Sequence, residues 1–171
     1  METMTTILWP PRSSDASGLL AAYTGVLGWP LLAGRVPVEP RDVPAVHARS
    51  RRTPWSTVCG TRFDAMSVPA AAGRGAVLAL KRAEEHERDG VVVPCLLAGA
   101  KRIFLVAPGT GSAVPGAEVL SGEHLMPVPP TGGLRWETPP WDVCARRPVD
   151  LPDGRVLAEH LDLAAGSAIR H

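Results

Sequence analysis

The sequence has few cysteines, few aromatic residues and almost no net charge. Only three cysteines, Cys59, Cys95 and Cys144, occur in 171 residues, and no pair has the CxxC spacing of a zinc site. This excludes a dense disulfide framework and predicts a reduced, cytoplasmic protein. A formal net charge of +1 argues against a nucleic-acid-binding protein that is basic throughout, but it leaves room for a local basic patch.

Long hydrophobic runs are absent as well. Every apolar run is far shorter than the roughly 20 residues that a membrane-spanning helix needs. Residues 1–11 contain no basic segment, and Pro10 and Pro11 interrupt their short apolar run, so we expect no signal peptide. The sequence therefore predicts that the protein has no membrane partner.

The sequence contains enough apolar residues to fold, together with an excess of turn-forming residues. Hydrophobic residues make up 45% of the chain, which argues against disorder. The 17 glycines and 18 prolines form about a fifth of it, against roughly 12% in an average protein. We predict a flexible tail at residues 1–14 and a single domain at 15–171, because the length matches one domain of roughly 100–200 residues.

Hydrophobic periodicity predicts helices over residues 15–27, 69–88 and 152–164, with one further helical turn near 43–48. Between them lie short apolar segments bounded by Gly or Pro, which are typical of strands. These segments cover residues 29–32, 55–59, 62–68, 91–97, 102–107, 117–120, 123–128 and 134–137. We therefore expect an α+β fold with a single mixed, mostly antiparallel sheet flanked by helices.

Several of these segments follow one another in a recognisable order. Residues 20–31 run from a helix into a Gly-Trp-Pro strand, and residues 59–73 place Asp64 on a strand before a Gly-containing helix. A Gly-Ala-Lys-Arg strand at 99–105, an acidic segment with a Pro-Pro turn at 118–130 and a Leu-Arg-Trp strand complete the series. Together they resemble the N-terminal domain of bifunctional DNA primase/polymerases (prim-pol), of the archaeo-eukaryotic primase superfamily. The resemblance implies a prim-pol-like fold.

The resemblance also implies a site for nucleotidyl transfer in DNA replication, where carboxylates hold Mg²⁺ or Mn²⁺. Asp64 matches the first acid of the family and Glu118 the third, with Glu123 as a competitor. Met66 stands in place of the second acid, and Arg102 stands where the family has a histidine. These departures predict a catalytically degenerate domain in which Asp64 and Glu118 are remnants of the catalytic, metal-binding site.

The stretch from Val43 to Phe63 contains no acidic residue but several arginines, with His47 and Trp55 beside them. Arginine suits phosphate oxygens, and a neighbouring aromatic side chain can stack on a base. We therefore predict that nucleotide or nucleic acid is bound by Arg49, Arg51, Arg52, Arg62, Lys101 and Arg102. The alternatives are that these are solvated charges and that Asp64 satisfies backbone groups at the end of its strand.

The first hypothesis is thus a prim-pol-like domain that retains nucleotide or DNA binding with lost or reduced catalysis. The second is a non-catalytic regulatory module that binds a protein through its Pro-rich loops, for which exposed Trp9 and Trp141 are candidates. The third is a divergent active nucleotidyltransferase that uses Asp64, Glu118 and Glu123 with a divalent metal. The sequence alone leaves open whether the protein is an enzyme.

Overall fold

The computed structural model describes residues 8–86 and 90–168, which form two sheets and four α-helices. The strands are β1 (Leu31–Ala33), β2 (Val36–Val38), β3 (Trp55–Val58), β4 (Asp64–Pro69), β5 (Cys95–Ala98), β6 (Lys101–Val106), β7 (Glu118–Leu120), β8 (Leu125–Pro127) and β9 (Leu134–Thr138). The helices are α1 (Ala16–Ala21), which continues as a π-helical turn over Ala22–Val26, α2 (Val43–Arg49), α3 (Ala70–His86) and α4 (Gly154–Ala168). One sheet has the order β2-β1-β3-β8 and the other β7-β4-β6-β5-β9, and all of these strand pairs are antiparallel.

The α+β class, the antiparallel pairing and the flanking helices are therefore confirmed, but the expectation of a single sheet is wrong. The predicted helices at 15–27 and 69–88 appear as α1 with its π-helical turn and as α3, of which residues 87 and 88 lie outside the described part. The helix expected at 152–164 begins at Gly154. Strand β2 was not predicted because Pro37 lies in it; as an edge strand, β2 tolerates the missing N–H.

The division into two sheets occurs at a pair of glycines. The chain passes from β3 to β4 through Gly60, and it returns from β7 to β8 through Gly122. Gly60 has φ +94°, and a Cβ placed on it would lie 2.3 Å from the backbone N of Gly122. Because β3 pairs with β8 and β4 pairs with β7, the two connections together bend one antiparallel ribbon from the first sheet into the second.

The five-stranded sheet lies between two apolar layers. Met66, Phe104 and Leu157 belong to a core between this sheet and helices α3 and α4. Ala65 and Leu105, on the opposite face, belong to a larger core shared with α1 and the four-stranded sheet. This burial on both faces explains the almost unbroken run of buried residues in β4.

An aromatic cluster closes the larger core at one end. Tyr23 stacks on Trp29 with 5.7 Å between ring centroids, and its hydroxyl accepts a 2.7 Å hydrogen bond from Trp136 Nε1. Trp141 packs against Tyr23, Trp136 and Trp9 and is only 3% exposed. The expectation that Trp141 is exposed is therefore wrong, and Trp9 is partly buried, so packing extends N-terminally of residue 15.

Gly60→Ala should destabilise the protein strongly for two reasons. The added methyl group would overlap the backbone of Gly122, and the alanine would have to adopt the positive φ of Gly60. We expect a loss of about 3 kcal/mol in the free energy of unfolding, measured by urea denaturation. Gly116→Ala is the matched control, since Gly116 has φ +74° but open space around it, and should cost about 1 kcal/mol. Equal losses in the two variants would contradict the close packing at Gly60.

Candidate functional site

Asp64, the predicted first acid, is a buried carboxylate that holds a loop. It is 3% exposed, and its Oδ2 accepts hydrogen bonds from the backbone N–H groups of Gly109 at 2.8 Å and Gly111 at 3.1 Å. Its Oδ1 has no hydrogen-bond partner among the described residues. The same loop is joined to α4, because Thr110 Oγ1 accepts a 2.9 Å hydrogen bond from the N–H of Gly154. Asp64 therefore fixes the loop that follows β6, and this loop in turn contacts the start of α4.

Glu118, the predicted third acid, lies on the other face of the sheet. Successive side chains of a strand point to opposite faces, and directly paired residues share a face. Glu118 pairs with Ser67, three positions along β4 from Asp64, whereas Asp64 shares its face with Met66. The structure therefore does not bring Asp64 and Glu118 together. Glu118 Oε2 instead lies 2.9 Å from Lys101 Nζ in an exposed ion pair.

Arg102, which replaces the histidine of the family, is held in a buried ion pair. Its Nε and Nη2 donate hydrogen bonds of 2.7 and 2.9 Å to the two carboxylate oxygens of Glu137, and its Nη1 donates to the carbonyl of Ala70. The side chains of Arg102 and Glu137 are 11% and 17% exposed. Gly73 on α3 leaves room for this pair, since a Cβ there would lie 2.9 Å from Arg102 Cβ. These contacts attach α3 to β6 and β9 and occupy the guanidinium of Arg102.

The Arg102 guanidinium lowers the pKa of the Glu137 carboxyl, chiefly through its hydrogen bonds. Cys95 lies beside this pair, with its Sγ 3.7 Å from Glu137 Oε2, and burial raises its pKa. Burial, and then the nearby charge of Asp64, raises the pKa of Cys59 to about 12. Both thiols therefore stay protonated at neutral pH and pack as small hydrophobic side chains.

Three of the predicted phosphate-binding residues form an exposed cluster, which we call the arginine cluster: Arg49, Arg51 and Arg52. Arg49 is the last residue of α2, and the other two follow in the turn before β3. No acidic partner of these three is found within the described part of the chain. Arg62 is also exposed, but it lies apart, in a shallow groove of about 310 Å³ beside Trp29.

A larger groove of about 630 Å³, which we call the α1–α2 groove, lies beside the arginine cluster. Helix α2 contributes His47 and Arg51 to it, and the α1 side contributes Asp15 and several hydroxyl groups. The groove is completed by Ser14, Ala16, Ser17, Leu20, Ala21, Thr24, Pro40, Val43, Pro44, Ala48 and Pro130. The α1–α2 groove therefore combines one of the sequence-predicted binding residues, Arg51, with further polar side chains.

Sequence reasoning missed two features of this arrangement. Glu137 was read only as part of a strand, and nothing local marks it as the partner of Arg102, because the two residues lie 35 positions apart on strands that β5 separates in the sheet. The α1–α2 groove was missed because its walls come from distant segments. The sequence offered one signal for this groove, which was the helical turn predicted near residues 43–48 with the arginines that follow it.

A second cavity, of about 340 Å³, is mainly apolar and lies between α3 and the segment after β9. Val77, Leu80 and Trp141 form its walls, while Lys81 and Glu84 are polar residues in its lining. It contains none of the residues predicted from the sequence to bind metal or nucleic acid.

Comparison with known proteins identifies no relative: no family model, no curated protein and no solved structure matches this chain. Among the described residues, no helix is both long and apolar enough to cross a membrane. The same residues contain no group of three or more His, Cys, Asp or Glu side chains arranged to hold a metal ion. The resemblance to prim-pol domains stays a prediction.

If Asp64 acts on the loop, the substitutions Asp64→Ala and Asp64→Asn should differ. Alanine leaves the N–H groups of Gly109 and Gly111 without an acceptor and should cost about 3 kcal/mol of unfolding free energy. Asparagine can place its carbonyl oxygen at the Oδ2 position and its amide at the unpaired Oδ1 position, so it should keep most of the stability. Urea denaturation measures both, with Asp162→Ala as a surface control; equally large losses in Ala and Asn variants would contradict this role.

The ion pair of Arg102 and Glu137 should make stability depend on pH. Because the folded-state pKa of Glu137 is lowered, the pair stabilises the fold above the usual carboxyl pKa of about 4.3, and this stabilisation is lost as the pH falls through the lowered value. Glu137→Gln should therefore cost about 2 kcal/mol near neutral pH, with the difference from the native chain narrowing towards about pH 3. Denaturant unfolding across pH checks this.

The control for that experiment is Glu118→Gln, which removes an exposed ion pair with Lys101 and should change stability little at any pH. If the free energies of unfolding of Glu137→Gln and the native chain differ by the same amount from neutral to acidic pH, the pH dependence does not come from the Glu137 carboxylate.

Proposed function

We propose that this protein binds single-stranded nucleic acid through the arginine cluster and acts as a binding domain rather than as a nucleotidyltransferase. The observation that carries the proposal is the exposure of three closely spaced guanidinium groups without an acidic partner in the described part of the chain. When such groups contact phosphates, they displace counterions that are condensed on the nucleic acid, and this release is a main source of affinity for its backbone.

Charge distribution supports this location over the others predicted. Lys101 and Arg102 are engaged by Glu118 and Glu137, so both charges are already compensated within the protein. The segment from Val43 to Phe63 contains only basic charges, which makes it locally positive in a chain of net charge +1. An anionic polymer would therefore meet its strongest attraction at the arginine cluster.

Binding is proposed without catalysis because the strand register directs Asp64 and Glu118 to opposite faces of the sheet. Nucleotidyl transfer requires carboxylates that converge on shared metal ions. The choice of nucleic acid among polyanions rests on the resemblance to prim-pol domains, whose active members would be expected to present basic residues to a template strand near this region. The preference for single strands follows from the same expectation. Both parts are decided by the following experiment.

The test compares the native chain with a triple variant, Arg49→Ala, Arg51→Ala and Arg52→Ala, in fluorescence-anisotropy titrations with a labelled single-stranded oligonucleotide. We expect the variant to lose at least about tenfold in affinity at low salt, since charge-assisted contacts to phosphate are lost. The slope of log affinity against log salt should become shallower by about 2, because each phosphate contact to a single strand contributes roughly 0.7.

A charge-matched control replaces three exposed arginines elsewhere, Arg74, Arg147 and Arg155, with alanine. This control should bind like the native chain. Equal losses in both triple variants would show a general charge effect, and no binding by the native chain would favour the protein-interaction module instead. Tighter binding to a duplex than to a single strand of the same sequence would contradict the strand preference.

A further inference from the structure

The α1–α2 groove has different charges on its two sides. His47, in the last turn of α2, and Arg51, in the turn that follows the helix, both line the groove on its α2 side. On the α1 side, Asp15 brings a carboxylate whose Oδ1 accepts a 2.9 Å hydrogen bond from the N–H of Gly18. Hydroxyl groups of Ser14 and Ser17 accompany it. The groove is thus cationic on one side and rich in hydroxyl and carboxylate oxygen on the other.

His47 supplies a donor on the cationic side. Its Nδ1 is buried and has no hydrogen-bond partner among the described residues. Carrying the proton on Nδ1 would bury an unpaired N–H, so the neutral ring favours the tautomer with its hydrogen on Nε2. In this tautomer, as in the charged ring, Nε2 is a donor available to an acceptor in the groove. No side-chain hydrogen bond of His47 competes for it within the described residues.

A nucleotide at the phosphorylated end of a nucleic-acid strand has groups that complement the two sides of the groove. Its phosphomonoester carries more negative charge than an internal phosphodiester and suits a guanidinium next to an imidazole donor. The amino groups of its base can donate to a carboxylate, which suits the side that holds Asp15. A cavity of about 630 Å³ is in the size range of small-molecule sites and lies directly beside the arginine cluster, where the following nucleotides would be held.

We propose that the α1–α2 groove binds the phosphorylated end of a nucleic-acid strand, with the terminal phosphomonoester against His47 and Arg51. This inference rests on the proposed function, because the arginine cluster holds the rest of the strand. The chemistry is the same for a 5′- and a 3′-phosphate, so the experiment includes both.

The probes are three unlabelled oligonucleotides of one sequence, carrying a 5′-phosphate, a 3′-phosphate or no terminal phosphate, in competition with an internally labelled strand. The native chain should bind one of the phosphorylated forms at least about fivefold more tightly than the unphosphorylated form, which equals about 1 kcal/mol. His47→Phe removes both ring nitrogens while keeping a planar ring, so it should abolish this preference and leave the affinity for the unphosphorylated strand within about twofold. His124→Phe, at an exposed histidine outside the groove, should keep the preference.

Ala48→Glu provides a second variant whose readout does not depend on His47. Ala48 is exposed and lines the groove, so a carboxylate there should repel the terminal phosphate and remove the preference. Ala45→Glu adds the same charge to an exposed position of α2 that is not part of the groove, and it should retain the preference. In both variants, the affinity for the phosphorylated strand is divided by the affinity for the unphosphorylated strand, because any added carboxylate weakens binding to both strands.

The inference and the proposed function fail in different ways. If the native chain binds all three strands equally and the triple arginine variant still loses binding, the inference is overturned and the proposed function stands. A terminal-phosphate preference that persists in both His47→Phe and Ala48→Glu also overturns the inference. Failure of the native chain to bind any of the strands overturns the proposed function and the inference with it.

Discussion

The fold depends on the close packing of Gly60 against Gly122, where one antiparallel ribbon bends from the first sheet into the second. A side chain on Gly60 would overlap the backbone of Gly122, so two chain segments can cross there only without a Cβ on this residue. The crossing places β4 as an interior strand, between β7 and β6, in a sheet that is covered on both faces. Asp64 begins this strand directly beyond the corner, and its environment follows from that position.

Because both faces of the five-stranded sheet are buried, the charged residues buried in it are used within the protein and are not available to bind a partner. A charged group in this sheet must be paired or hydrogen-bonded, because an uncompensated buried charge is costly. Asp64 is satisfied in part by two backbone N–H groups, and Arg102 is paired with Glu137. Both therefore stabilise connections between the sheet and its helices. A resemblance in sequence order can thus align residues with a catalytic pattern while the protein uses them to hold its layers together.

The sequence was most informative where one element is defined by its own residues. The Ala-rich helix α3, the helical turn at α2 and strands β4 and β6 lie close to their predicted positions, because periodicity and Gly or Pro boundaries are local signals. The division into two sheets, the pairing of Arg102 with Glu137 and the burial of Trp141 were not predictable in the same way. Each arises from contacts between segments far apart in sequence, which no local pattern encodes.

The location of the arginine cluster follows from the same physical constraint. A largely buried position inside a sheet accepts a cation only with an acidic partner, as Arg102 shows with Glu137 on β9. Most residues of α2 and of the turn after it are exposed, and there arginines keep their hydration without a partner. A chain with almost no net charge therefore still presents a local positive surface, because its acidic residues lie outside the segment from Val43 to Phe63. This separation of charge, rather than the remnant of a metal site, is the feature that favours an anionic partner.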